Sequence, residues 1–530
     1  MQMPRAGARA ALHAHRDGDA LDALLVAVVT VHATAPSPRR VPAGRAVPSA
    51  SSPPATGHAW GDGHRRTRQA TVPARKEEPA VNDTLIRDAE LLVTMDGDEI
   101  PGGWVALRDG TVTGTGRPGT EPRAARTLSA RGALVTPGLI NTHHHIFQNL
   151  TRAYAPATRY ELFDWLGTLY PLWAGLDEEA VEVSTWVGLA ELALGGCTTT
   201  ADMLHSHPRP RLTDAQIRAA RQVGLRFHAC RGALDLSERD GGPAPEEITQ
   251  STDDILADCE RLVSTYHDPS PGSMVRIALA PATQAAVSER LMAETARLAE
   301  RLDVRLHTHL AESLDEVTYC RETFGRRPVD QFEHVGWAGD RAWVAHFVFS
   351  EPGERARLGR WGTAVAHCPG STMMLGAGAA SLPALREAGV TVGLGCDGSA
   401  STDHASLWLE ARTALAAARE RGGAASTTAR DVLRAATVDA AACLGREDGL
   451  GRLTPGAPAD VTVWELDEFA FAGAHTDLVE AWLRCGPVRP RHTIVQGRPV
   501  VENGTLTLPH THDMLNAHAR ISRRIQRLSD

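Results

Sequence analysis

The chain has 530 residues, more than one compact core of ordinary size holds, which predicts one large domain with additions. The formal net charge is −9 and the body carries no long basic run, which excludes an electrostatic case for nucleic-acid binding. No apolar run approaches the ~20 residues that span a bilayer, so we expect no membrane partner. The eight cysteines include no Cys-x-x-Cys pair, and we interpret them as reduced thiols of a cytoplasmic protein.

Residues 1–80 differ in composition from the rest of the chain, because they are rich in Ala, Arg, Pro, Gly and His. Such a segment buries too little apolar surface to offset the entropy of ordering it. We therefore predict a disordered or spurious N-terminal extension, with organised sequence from Val81. The alternative is an export signal, since the apolar run at residues 24–31 precedes small residues. Three aspartates just upstream of that run and the thiol-rich body speak against export.

Short strand-like runs separated by Gly and Asp turns occupy residues 83–128, and alternating apolar runs return at residues 460–464 and 493–501. We expect the two ends to build one small β-sandwich domain from residues 81–136 and 448–510. Residues 511–530 then form a C-terminal helix or tail.

Between these ends, eight apolar strand candidates alternate with Ala/Leu/Glu-rich segments of helical spacing. Eight strand–helix units in about 310 residues predict an α/β fold, a (β/α)8 TIM barrel over residues 137–447. The strand candidates cover residues 133–142, 197–203, 225–230, 275–280, 304–310, 343–348, 363–367 and 391–396.

In such a barrel the carboxyl ends of the strands carry the chemistry. Three imidazoles and one carboxylate follow the first, fifth and eighth strands: His143, His145, His309 and Asp397. This donor set suits one divalent ion, with Zn²⁺ preferred and Fe²⁺ or Mn²⁺ also accepted, and leaves an open position for water. Glu312 and His346 then remain for acid–base work. Taken singly, each has an ordinary alternative: His346 as a core histidine, Glu312 as a surface acid near a helix start, and Asp397 as a turn residue.

The motifs at residues 137–145, 307–312, 366–369 and 393–399 resemble those of the amidohydrolase superfamily, specifically its cytosine- and guanine-deaminase-like branch. The resemblance covers about residues 84–505. Within the branch, residues 144–152, 161–166, 196–200, 226–232 and 397–401 resemble the 8-oxoguanine deaminases and the related hydroxydechloroatrazine ethylaminohydrolases.

The resemblance implies a metal-dependent hydrolytic deaminase of an amino-purine-type heterocycle, in which 8-oxoguanine and water give urate and ammonia. It also implies a small-molecule substrate and a homo-oligomer. The implied metal ligands are His143, His145, His309 and Asp397; the implied acid–base residues are Glu312, His346 and Asp397; the implied substrate contacts are Gln148 and Arg231. A surface ion pair is the ordinary alternative for Arg231.

Several alternatives use the same site. A triazine-type amino- or chlorohydrolase would change the leaving group, and guanine, isocytosine or adenosylhomocysteine deaminases would change the ring. A non-catalytic barrel is opposed by the complete donor set. A two-metal hydrolase would need a bridging Lys or Glu after the fourth strand, and residues 278–283 contain neither. The sequence departs from the family pattern at residues 202–205, 347–349 and 370–374, and the departures at 202–205 and 370–374 bear on the substrate rather than on the metal.

Overall fold

The computed structural model describes residues 81–97 and 99–528. The predicted extension at residues 1–80, with its apolar run at residues 24–31, lies outside these residues. In the part of the chain that is described, no helix combines the length and the apolarity that a membrane crossing requires.

An eight-stranded parallel sheet forms the centre of the described chain, and its strand order follows the sequence order. The strands are buried along nearly their whole length, as expected where helices cover one side and a packed interior fills the other. The backbone N–H of Thr142 donates to the Leu394 carbonyl at 2.9 Å and joins the first strand to the last. The predicted (β/α)8 barrel is therefore confirmed. Its strands are Leu139–Asn141, Cys197–Leu204, Arg226–Ala233, Val275–Pro281, Arg305–Leu310, Ala342–His346, Ala364–His367 and Val392–Leu394.

Helices follow the barrel strands and cover the outside of the sheet. Several begin at a capping side chain: Asp177, Ser251 and Ser288 each accept a backbone N–H from three residues further on. The α-helices are Leu162–Trp173, Glu178–Leu194, Leu212–Val223, Thr252–Tyr266, Glu289–Leu302, Leu314–Phe324, Pro328–His334, Pro352–Trp361, Pro369–Met374, Leu382–Glu387, Leu407–Gly422, Ala429–Ala435, Val438–Cys443, Leu478–Arg484 and Thr511–Gln526. The 3₁₀ helices are Ile146–Thr151, Ala155–Ala157, Glu238–Asp240, Glu246–Ile248 and Phe469–Phe471.

Two further sheets are built from the ends of the described chain: the smaller from N-terminal strands alone and the larger from strands of both ends. Buried side chains of both sheets, including Val105 from one and Val135 and Val463 from the other, share one apolar cluster, as in a β-sandwich. The four-stranded sheet has the order Thr111–Gly116, Trp104–Arg108, Asn82–Arg87 and Ala124–Ser129. The seven-stranded sheet has the order Thr505–Leu506, Arg498–Glu502, Pro490–Val495, Val461–Glu465, Ala133–Pro137, Leu91–Val93 and Glu99–Ile100. The domain bounds given above stay a prediction.

The prediction of one strand over residues 133–142 was wrong. Ala133–Pro137 pairs antiparallel with Val461–Glu465 in the seven-stranded sheet, and only Leu139–Asn141 belongs to the barrel. The chain changes sheets at Gly138, whose missing side chain leaves room for Thr198 of the second barrel strand. A local apolar run shows no such boundary, because both halves are equally buried.

The C-terminal helix Thr511–Gln526 supports one edge of the barrel mouth. Its buried Ile521 and Ile525 belong to an apolar cluster that also contains Trp173 of the helix Leu162–Trp173. Ser522 donates its hydroxyl to the Leu150 carbonyl at 2.7 Å. The helix therefore holds the 3₁₀ helix Ile146–Thr151, which follows the histidine motif.

Candidate active site

Four predicted metal ligands converge at the carboxyl end of the barrel. One nitrogen or oxygen atom from each of His143, His145, His309 and Asp397 lies within 4.8 Å of the others. All four residues are buried. A short parallel pair, His144–His145 with Asp397–Gly398, continues the closing edge of the barrel and brings the histidine motif beside the aspartate.

Backbone carbonyls determine which nitrogen of two imidazoles carries the proton. His145 Nδ1 lies 2.7 Å from the Met203 carbonyl oxygen, and His309 Nδ1 lies 2.6 Å from that of Ala282. A carbonyl oxygen can only accept, so each Nδ1 donates and each Nε2 has a free lone pair. Burial lowers the pKa of both imidazoles, which are therefore neutral. These two Nε2 atoms lie only 3.0 Å apart.

A chain of two hydrogen bonds orients His143 in the same way. His307 donates from Nδ1 to the Trp343 carbonyl at 2.9 Å, which leaves its Nε2 as an acceptor. His143 Nδ1 then donates to that Nε2 at 2.7 Å, and its own Nε2 lone pair points at Asp397 Oδ1, 3.1 Å away. Burial lowers the pKa of His143 well below its usual value.

These atoms fit a divalent cation. Three Nε2 lone pairs and a carboxylate repel one another at these distances in a buried space unless positive charge lies between them. Proton-donating Nδ1 atoms behind ligating Nε2 atoms are also the usual arrangement in metal sites.

Glu312 and His346 lie beside this donor set. His346 Nε2 is 3.5 Å from Glu312 Oε1 and 3.9 Å from Asp397 Oδ2, and no hydrogen bond engages either ring nitrogen within the described residues. Burial and the charges of Asp397 and Glu316 raise the pKa of Glu312 well above its usual value. A raised pKa favours the protonated carboxyl, which is the form that can donate a proton.

The backbone is strained at the same place. His346, Phe347 and Asp397 have φ values of 75°, 57° and 58°, a region that non-glycine residues rarely adopt. Strained residues at the ends of barrel strands are typical of active sites, where the surrounding structure holds side chains in positions that relaxed chains do not favour.

A cavity opens beside the four-residue cluster, and most of its lining surface is apolar. One wall is the helix Leu162–Trp173, which contributes large side chains. No lysine or arginine is among the described residues that line it. The lining residues are His145, Gln148, Leu162, Phe163, Trp165, Leu166, Tyr170, His205, Pro243, Ala282, Thr283, His309, Glu312, Glu316, Leu375, Asp397 and Ser401.

The two predicted substrate contacts differ in their placement. Gln148 is buried on the 3₁₀ helix, lines the cavity, and has an Oε1 atom without a hydrogen-bond partner in the described chain. Arg231 does not line the cavity. Its guanidinium donates to Asp258 and to Gln250, each at 2.7 Å. The alternative given above for Arg231 was a surface ion pair, and the structure shows an ion pair with Asp258 in which Arg231 is buried.

Sequence reasoning missed the rest of the cavity wall. In the sequence, the helix Leu162–Trp173 stands out only through residues 161–166 of a family motif. His205 was noticed as a departure from the family pattern, and its side chain lines the cavity. His307 belongs to a His-x-His pair in the fifth strand. A histidine two residues before a ligand is the signal that would have suggested a supporting role for it.

Comparisons with known proteins agree with this geometry. The sequence profile described as the amidohydrolase family matches residues 134–500. The chain is 43% identical to an 8-oxoguanine deaminase of Pseudomonas aeruginosa, over 80% of this chain and 94% of that one. It is 38% identical to a hydroxydechloroatrazine ethylaminohydrolase of a Pseudomonas species, over 79% of this chain and 91% of that one. Among solved structures, an atrazine chlorohydrolase of Arthrobacter aurescens complexed with zinc superposes with a TM-score of 0.80 at 31% identity, over 83% of this chain and all of that one.

The barrel, the sandwich and the buried donor set define a metal-binding (β/α)8 hydrolase. The chain belongs to the amidohydrolase family and is a hydrolase of C–N bonds.

Proposed function

We propose that this protein is a Zn²⁺-dependent aminohydrolase that converts 8-oxoguanine and water to urate and ammonia. The observation that carries the proposal is a complete donor set at one cavity with Glu312, whose pKa burial raises well above its usual value, in a chain 43% identical to an 8-oxoguanine deaminase. Zinc is the metal proposed because an atrazine chlorohydrolase of the same fold is complexed with it.

His143, His145, His309 and Asp397 would hold the ion. When bound, the ion supplies Lewis acidity, which makes water a competent nucleophile at neutral pH.

The side chains of the chain move the protons. Asp397 takes one proton from the attacking water, and the new C–O bond forms at the amine-bearing ring carbon. Glu312 gives its proton to the adjacent ring nitrogen, so that negative charge does not build up on the ring. His346, facing both carboxylates, orients the attacking oxygen.

Collapse of the tetrahedral carbon restores both acids. The C–N bond breaks as the amine takes the proton from Asp397 and leaves as ammonia. The remaining hydroxyl gives its proton to Glu312, and the carbonyl of the product forms. No net proton is gained or lost by the protein, so the same residues serve the next turnover.

A second candidate is amine or chloride release from a triazine. The mostly apolar lining of the cavity favours it, because an alkylated triazine ring needs apolar walls. The chain's 38% identity to a hydroxydechloroatrazine ethylaminohydrolase points in the same direction.

We further propose a homo-oligomeric protein of the cytoplasm. All eight cysteines lie in the described chain and are free, and seven of them are buried, which supports a reducing compartment. Size-exclusion chromatography with light scattering tests the oligomeric state.

The experiment is a side-by-side assay of the zinc-loaded protein on 8-oxoguanine, guanine, isocytosine, adenosylhomocysteine and a chlorotriazine. Ammonia, alkylamine and chloride release are measured separately. Preference for 8-oxoguanine with formation of urate supports the proposal, and preference for the triazine supports the second candidate. The Glu312→Gln variant should retain its metal and lose at least about a hundredfold in kcat. Wild-type turnover in that variant would contradict the role given to Glu312.

A further inference from the structure

His205 is a cavity residue that the proposed mechanism does not use. It follows the second barrel strand, Cys197–Leu204, and its buried ring is enclosed by four aromatic rings at centroid distances of 4.9 to 6.1 Å. All four contacts are edge-to-face, with interplanar angles between 67° and 82°. Packing of this kind determines the plane of the imidazole before any ligand arrives. The four rings are those of His145, Phe147, Tyr170 and Trp173.

Ser206 determines which nitrogen of His205 carries the proton. The buried Ser206 hydroxyl lies 3.2 Å from His205 Nδ1, and no other partner for that hydroxyl exists among the described residues. If Nδ1 donated, the hydroxyl proton would be buried without an acceptor, which is costly. Ser206 therefore donates to Nδ1, and the proton of the neutral ring lies on Nε2.

The Nε2–H group is available to a ligand. No side chain or backbone atom of the described chain accepts a hydrogen bond from it, and the residue lines the cavity. Its neighbours His145 and His309 present only lone pairs, towards the metal position. A rigid, single-direction donor is thus placed beside the cluster of metal ligands.

We propose that His205 is a specificity-determining residue, which donates its Nε2–H to a carbonyl oxygen of the bound heterocycle and selects oxo-substituted rings over amino-substituted ones. This rests on the proposed function, since it concerns the same cavity. An amino group at that position would place a second donor against the Nε2–H. The Nε2–H of His205 and the amino group of the ligand would then both be buried without an acceptor, which typically lowers kcat/KM ten- to a hundredfold or more.

Three variants test the inference. His205→Phe removes the donor and retains an aromatic ring in its enclosure. His205→Gln restores an N–H donor. His207→Gln is the matched control, because His207 is buried nearby but donates from Nε2 to the Leu204 carbonyl at 2.8 Å and does not line the cavity. Metal content and melting temperature are measured first, so that losses of fold and of recognition are separated.

The substrates are 8-oxoguanine, guanine, which lacks the carbonyl at C8, and 2,6-diamino-8-oxopurine, which has an amino group in place of the carbonyl at C6. We expect the wild type and His207→Gln to disfavour one of the two analogues by about tenfold or more in kcat/KM. His205→Phe should lose that discrimination, mainly through a higher KM for 8-oxoguanine, and His205→Gln should recover part of it. Unchanged discrimination in His205→Phe would overturn the inference.

A second measurement keeps the inference separate from the proposed function. If the metal-loaded wild type deaminates none of these purines, the proposed function fails. Calorimetric titration with urate, a ring that carries only carbonyl substituents, then tests His205 alone. Binding weakened about tenfold in His205→Phe but not in His207→Gln supports the inference. Equal affinity in all three proteins, or no urate binding to the wild type, overturns it.

Discussion

His307 should control metal affinity without touching the metal. It accepts the hydrogen bond from His143 Nδ1 at 2.7 Å, and both rings are fully buried. His307→Leu would leave a buried N–H without a partner, at a cost of about 1–3 kcal/mol. It would also free the His143 ring to turn away from Asp397.

The cost of the unpartnered N–H agrees with the loss of metal affinity expected for such a change. Loss of an outer partner of a metal-bound histidine typically weakens metal binding 10- to 100-fold, which corresponds to about 1.4–2.8 kcal/mol. We therefore expect His307→Leu to bind Zn²⁺ 10- to 100-fold more weakly. His307→Gln, whose amide oxygen can accept from His143, should retain most of the affinity.

Competition with a chromophoric chelator measures these affinities directly. Metal content at saturation should stay at one ion per chain in all three proteins, which shows that the ligands themselves are intact. The control for general destabilisation is the melting temperature of the metal-free proteins. His307→Leu could leave the metal-free stability unchanged and still bind zinc as tightly as the wild type. The hydrogen bond from His143 to His307 would then not orient the His143 ring.

Three further outcomes follow from the structure. Removing the ion with a chelator should lower the melting temperature, and added Zn²⁺ should restore it, because the facing lone pairs repel one another without a cation; an unchanged melting temperature would contradict the donor geometry. Burial raises the pKa of Glu410 to about 8, so between pH 4.5 and 8 the native protein keeps a proton that the unfolded chain releases. The free energy of unfolding should therefore fall as the pH rises from 4.5 towards 8. Glu410→Gln should flatten this fall, as measured by denaturant titration. Gly196→Ala should cost about 2 kcal/mol or more, because φ is 80° and a methyl group would overlap the Trp464 ring; an unchanged denaturation midpoint would contradict the packing.

The fold was predictable because barrel strands are buried on both faces and appear as separate apolar runs. The convergence of the four predicted metal ligands was predictable for a related reason. Once the strands are arranged in a barrel, residues at their ends must meet, and His143 and His309 meet although 166 residues separate them. The break at Gly138 was not predictable, because it depends on pairing with Val461–Glu465 more than 300 residues away.

The cavity wall was harder to predict for a physical reason. Which of His205 and His207 faces the cavity depends on the turn after Leu204, and residue type does not encode that turn. Arg231 shows the reverse case. Its chemistry suits a substrate contact, but Asp258 on the helix Thr252–Tyr266 lies close enough to bind it instead.

The predicted metal centre and the cavity wall contribute differently to the choice of substrate. The four predicted metal ligands and the carbonyls that orient their rings belong to barrel strands or lie directly at their ends, so a centre of this kind can serve deaminases and chlorohydrolases alike. It therefore cannot decide between 8-oxoguanine and a triazine. That decision must lie in the wall formed by the helix Leu162–Trp173, by Gln148 and by His205. A substrate preference that survived replacement of both Gln148 and His205 would place the determinants in the rest of the wall, to which the helix Leu162–Trp173 contributes the largest side chains.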